Sequence, residues 1–187
     1  MFSSLFSLTA LAPLALAAVH DISVGGLNAE NAPLFAFWPN NIQADIGDTL
    51  RFTFHVKNHS VTQSSFQEPC SKLDGSIGFD SGFFPLPSMD TNFPTFEVVV
   101  NNTEPIWGYC RQINPPNPTH CQSGMVFAVN APSSGNTFSK FLALAESSTS
   151  QGVFNGSAAS SSVSVETVTD TVTVTKTVDS GSLSTSV

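Results

Sequence analysis

The chain has 187 residues and a formal net charge of −8, from 6 Lys and Arg against 14 Asp and Glu. Its cations (Arg51, Lys57, Lys72, Arg111, Lys140 and Lys176) are scattered along the sequence. No basic patch is therefore available for phosphate contacts, which excludes nucleic acid as a partner.

Residues 1 to 18 are apolar, carry no charge and include Ala15-Leu16-Ala17. An apolar stretch closed by an A-x-A motif reads as a secretory signal peptide over residues 1–17, cut after Ala17 or Ala18. It is too short and too Ser-broken to span a bilayer, so the expectation is an exported protein with no membrane span. A cut after Ala17 would start the mature chain at Ala18-Val19-His20. An amine with a His at the third position can wrap Cu(II) in a square-planar nitrogen set. That would require the first amides to leave any strand pairing, and an ordinary histidine at a strand start is the simpler reading.

Residues 18–146 have the size and the Phe, Val, Gly and Pro content of one domain with a single core. Strands are predicted at Asp21–Val24, Leu34–Trp38, Arg51–Lys57, Thr95–Val100, Ile106–Cys110 and Met125–Val129. In Arg51–Lys57 the period of two puts Phe52, Phe54 and Val56 on one face, and Arg51, His55 and Lys57 on the other. Turn residues such as Ile46-Gly47-Asp48 separate the runs. Short strands with regular turn signals predict an all-β sandwich or barrel. One helix is predicted at Phe138–Ala145, where Phe138, Phe141, Leu142 and Ala145 share a face.

From Ser147 onward Ser, Thr, Val and Gly take over, and residues 147–187 read as a disordered Ser/Thr-rich stalk without enough apolar area to repay its ordering entropy. Its hydroxyls suit O-glycosylation, and it is the part expected to meet cell-wall polysaccharide. The run Glu166–Thr175 alternates strictly and could pair as β structure. A lipid-anchor signal would need a hydrophobic tail of about 10–20 residues, so release or wall association is expected. The sequons at Asn101 and Asn155 read as N-glycosylation sites. That at Asn58 is expected to stay empty, because a glycan there would crowd His59.

Three segments carry the chemistry: Asn58-His59-Ser60-Val61, Trp107-Gly108-Tyr109-Cys110 and His120-Cys121-Gln122-Ser123-Gly124-Met125. Two imidazoles, a thiolate and a weak thioether are the donor set of a blue-copper site. Each residue alone has a plainer reading: Met125 as core packing, His59 as a loop histidine. Three cysteines (Cys70, Cys110 and Cys121) leave one thiol to explain in an exported protein. A metal ligand accounts for it, and a buried inert thiol is the other reading.

These segments, with Gly47-Asp48-Thr49-Leu50-Arg51-Phe52, resemble the cupredoxins over residues 20–132. Among them they are most similar to the plant phytocyanins and the fungal extracellular serine-rich proteins of cupredoxin type. The resemblance implies a Greek-key β-sandwich with one copper ion on His59, Cys110 and His120, and Met125 as long axial ligand. It also implies a disulfide between Cys70 and Cys121. Asn58 is expected to hydrogen-bond across to the Cys110 loop, as residues around a metal site orient its ligands. One departure stands out. Nine residues separate Cys110 from His120 where phytocyanins have four, and this Pro-rich insert either bulges outward or displaces His120.

The function expected is that of a secreted type-1 copper protein, a one-electron carrier or extracellular copper holder with an unidentified redox partner. It is not expected to be an enzyme: four histidines cannot supply a multicopper oxidase. A cupredoxin-fold cell-surface module without metal is the alternative reading. A Cys–His nucleophile using Cys110 finds no supporting motif.

Overall fold

The computed structural model describes residues 16–30, 32, 34–73, 77–87, 93–114 and 117–149, together with the backbone of a strand at 174–177. Its elements run β1 (Val19–Val24), β2 (Phe37–Trp38), β3 (Asn41–Ile42), β4 (Thr49–Phe54), β5 (Lys57–His59), β6 (Thr62–Ser64), β7 (Phe84–Leu86), β8 (Thr95–Val99), β9 (Ile106–Tyr109), β10 (Val126–Val129), α1 (Phe138–Glu146) and β11 (Val174–Thr177). One sheet has the order β11-β8-β4-β1-β2, the other β3-β10-β9-β6, and β5 pairs with β7 in a separate ribbon. The pairs β1–β4 and β3–β10 are parallel, because the chain crosses to the opposite sheet between them. The result is a two-sheet β-sandwich, as the resemblance implies.

The alternation in β4 explains the main core. Leu50, Phe52 and Phe54 are fully buried between the sheets, and Thr49, Arg51 and Thr53 face outward. They pack with Ile22 and with Phe37, Phe96 and Phe127, whose rings meet Phe52 or Phe37 at 4.8–6.4 Å between centroids. Close-packed aromatic layers of this kind dominate core energetics. Strand β10 is buried at all four positions because its two faces serve two cores. Phe127 and Val129 point into the sandwich; Val126 and Ala128 join Trp107, Tyr109, Phe66 and Phe141 of α1 in a second cluster. Thr137 starts α1 by accepting from the Lys140 amide, as N-cap threonines do.

Some expectations are corrected. The strand predicted over Arg51–Lys57 stops at Phe54: Lys57 has φ +84 and turns the chain into β5. Of the run Leu34–Trp38 only Phe37–Trp38 is strand. His55, expected at the surface, is half-buried with its ring over Phe93, 4.5 Å between centroids, and burial lowers its pKa. At the far end, Ser147 caps α1 and the Ser148 carbonyl accepts from Gln122 Nε2 at 2.6 Å. Within the stretch read as a stalk, Val174–Thr177 pairs antiparallel with β8. The sequon at Asn155 lies outside the described residues, whereas Asn101 is exposed just after β8.

Candidate metal centre

Three side chains far apart in sequence meet at one end of the sandwich. His59 ends β5, Cys110 follows β9 directly, and His120 begins the turn that leads into β10. All three are buried, and their ligand atoms lie within 4.8 Å of one another. Cys110 Sγ is 3.8 Å from His59 Nδ1 and 3.5 Å from His120 Nδ1. A single ion between them would meet one sulfur and two ring nitrogens, the trigonal donor set of a type-1 copper site.

Each ligand is held by a different device. The other ring nitrogen of His59, Nε2, is 3.1 Å from the Val56 carbonyl. With its proton donated there, Nδ1 keeps its lone pair for a metal. The ring also lies against Gly25 (φ +76), where a Cβ would come 2.3 Å from Nε2. This glycine was not singled out from the sequence; the Gly25-Gly26 pair at the end of a strand was the available signal. Cys110 Sγ accepts the Ser60 amide at 3.4 Å, and Ser60 Oγ accepts the Arg111 amide at 3.0 Å, tying the two ligand segments together. Asn58 makes the bond expected of it toward this loop: its Nδ2 donates to Gln112 Oε1 at 2.6 Å. A nitrogen so engaged, on a half-buried side chain, is poorly placed for a glycan.

Among the described residues of the nine-residue spacer, Asn114, Asn117 and Pro118 are exposed. The His120 amide donates to the Gln112 carbonyl at 3.0 Å, closing the base of the loop, and Asn114 bridges to Asn117 within it. The turn after it is fixed by Thr119, whose amide donates to Gln122 Oε1 and whose hydroxyl accepts the Gln122 amide. Phe35 packs on His120 at 4.2 Å between centroids. Met125 is fully buried. Its amide donates to the His120 carbonyl and its carbonyl accepts from the Cys110 amide, so its backbone joins two of the other three proposed ligands. Cys70 and Cys121 are bonded to each other, 51 residues apart, and Cys110 is the free cysteine. The bridge lies in the second cluster beside Trp107 and Phe141.

The electrostatics suit a metal. Burial lowers the pKa of both histidines to about 4, with the neighbouring imidazole pushing His120 the same way. Both rings are thus neutral near pH 7, and each has one ring nitrogen with a lone pair to offer a metal. Burial raises the Cys110 thiol to about 11, against the amides of Gln112 and Ser60 that favour the thiolate. Without a cation the thiol keeps its proton; a bound metal must displace it. Beyond the ligands, Asp80 forms a hub. It accepts from Arg111 Nε at 3.2 Å and Lys72 Nζ at 3.1 Å, while the Arg111 guanidinium lies 4.1 Å over the Phe83 ring. His20 stands apart from the centre, paired with Asp48 at 2.8 Å.

No family model matches the chain. The protein named "Probable GPI-anchored cupredoxin-1" from Arthroderma benhamiae is 35% identical over 134 residues, covering 72% of this chain and 63% of that protein. An "Extracellular serine-rich protein" of the same organism is 33% identical over 135 residues, or 71% of this chain and 47% of the relative. The chain therefore spans between about half and just under two thirds of the curated relatives it matches. Among solved structures, auracyanin from Roseiflexus castenholzii aligns with a TM-score of 0.40 at 14% identity, over 63% of this chain and 99% of that one.

Proposed function

The described segment is a cupredoxin domain, and from that premise we propose that the chain is a secreted or cell-surface type-1 copper protein that carries single electrons or holds copper outside the cell. One observation carries the reading: a buried thiol and two buried imidazoles offer Sγ, Nδ1 and Nδ1 within 4.8 Å of one another. Copper held there would supply a one-electron couple. Cys110, His59 and His120 would hold the ion, and Met125, buried and joined through its backbone to Cys110 and His120, would be the weaker donor that tunes the potential.

The protein's contribution is rigidity. Val56, Gly25 and Phe35 fix the two rings, and Ser60 holds the sulfur, so a change of oxidation state asks for little movement of the ligands. Burial keeps water from the site, and Phe35, itself half-buried, packs on the His120 ring. The redox partner is taken to be another extracellular electron carrier or reductant. The location is supported by the relatives, one of which is named as GPI-anchored and the other as extracellular. Among the described residues no helix is long and apolar enough to cross a membrane. A non-enzymatic role is part of this reading, and the burial of His59, Cys110 and His120 supports it.

Cu(II) titration of the purified protein tests the proposal. One equivalent should bind, and the loaded protein should be reduced and reoxidised by one electron per chain without losing the metal. Binding of several weak equivalents, or none, would favour the metal-free surface module instead.

A further inference from the structure

The opposite end of β1 carries a second built site. Six residues of strand put it about 20 Å from Gly25 and the metal centre. Here the Asp48 side chain, in a residue only 6% exposed, gathers three donors. Its Oδ1 accepts the Ala18 amide at 2.7 Å; its Oδ2 accepts the Asp45 amide at 2.9 Å and faces His20 Nε2 at 2.8 Å. The Ala18 carbonyl in turn accepts the Thr49 amide at 2.8 Å. Among the described residues neither Lys nor Arg pairs with this carboxylate. Immediately upstream, Leu16 and Ala17 are exposed, and Ala15-Leu16-Ala17 supplies the small residues that a signal peptidase reads.

We propose that export cleaves the Ala17–Ala18 bond and that Asp48 is the receptor for the α-ammonium so created, which with His20 locks β1 into the sheet. In the hydrolysis, water adds across the peptide bond. Ala17 leaves as the carboxylate end of the released peptide, and the Ala18 amine takes up a proton, its ordinary pKa being about 8. The 2.7 Å amide contact becomes a charge-assisted one, about twice as strong. The geometry also decides between the two cuts that the sequence leaves open. Cleavage after Ala18 would delete both the Asp48 contact and the acceptor of the Thr49 amide.

The same arrangement withdraws His20 from amino-terminal copper binding. Its imidazole faces Asp48, and Val19 and His20 lie in parallel register with Thr49 and Leu50. The inference rests on the export part of the proposed function and is independent of the copper part.

The test starts with protein secreted by a eukaryotic host. Amino-terminal sequencing should return Ala18-Val19-His20. Acetylation of the α-amine should then lower the unfolding temperature by roughly 2–4 °C, and by nothing in Asp48→Asn. As a second readout that needs no variant, the α-amine, which faces Asp48, Asp45 and His20, should titrate above the ordinary value of about 8. A chain starting at Val19 or later, or an α-amine that titrates like that of a free peptide, would overturn the lock alone. A chain that the host retains inside the cell with Met1 in place would overturn the export reading with it. Copper content of the same sample reports on the metal reading separately.

Discussion

At the scale of single residues, the centre depends as much on what is missing as on its ligands. Gly25 lies under the His59 ring because no side chain fits there, and its φ of +76 is one that an L-residue resists. Gly25→Ala is expected to lose more than about 1 kcal/mol of stability and to weaken copper binding by displacing the ring. Denaturant unfolding and a competitive copper titration would check the two effects. Protons supply the second expectation. The thiol titrates near 11 and both imidazoles near 4, so between those limits copper uptake releases one proton, from Cys110. The apparent Cu(II) affinity should therefore rise about tenfold per pH unit from about pH 5 to 9, and fall more steeply below about pH 4 as the histidines also protonate. Titrations with a pH-insensitive competitor would show that slope, and a flat profile would remove Cys110 from the site.

At the scale of elements, the insert between Cys110 and His120 is a closed appendage. Its base is the His120 amide on the Gln112 carbonyl, so the ligands do not depend on what hangs beyond it. Excising residues 114–117 should leave the copper spectrum unchanged and alter stability by less than about 1 kcal/mol; loss of the spectrum would mean that the loop holds His120 in place.

The alternating strands around Phe52, Phe96 and Ile22 and the helix at Phe138 were legible in the sequence, because a half-buried strand or helix writes its period into the apolar residues. The short elements were not. Strands β3, β5, β6 and β7 have two or three residues each, too few for a period. Ser60, Thr62 and Ser64 are buried polar residues, and the first two hydrogen-bond to each other. Leu34 and Phe35 look like strand, yet Phe35 leaves the sheet to pack on His120. The metal ligands could be named from their types and the family resemblance. The supports from Val56, Gly25 and Phe35 are tertiary, and nothing local announces them.

For the whole molecule, the metal centre, the two cores and the disulfide form one unit. The Cys70–Cys121 bridge spans 51 residues and constrains the unfolded chain by up to about 4 kcal/mol on the loop-entropy account. It fastens the His120 turn to the second core, from which α1 also hangs. Among the described residues beyond this unit, β11 is an edge strand of four residues paired with β8, which bears no ligand. A chain ending at Thr149 should therefore keep its copper spectrum and lose no more than about 3 °C in unfolding temperature. One ending at Glu146 forfeits the Ser147 cap and the Gln122–Ser148 bond as well. Thermal melts of the two truncations beside the full mature chain would separate these contributions.

The central claim is that a thiolate–copper bond forms at Cys110, and the visible absorption spectrum of the Cu(II)-loaded protein beside that of Cys110→Ser tests it most directly. An intense blue band in the wild-type chain, absent from the variant even when copper is still bound, is the predicted result. A copper-loaded wild-type protein without that band, or a band that survives Cys110→Ser, would contradict the account.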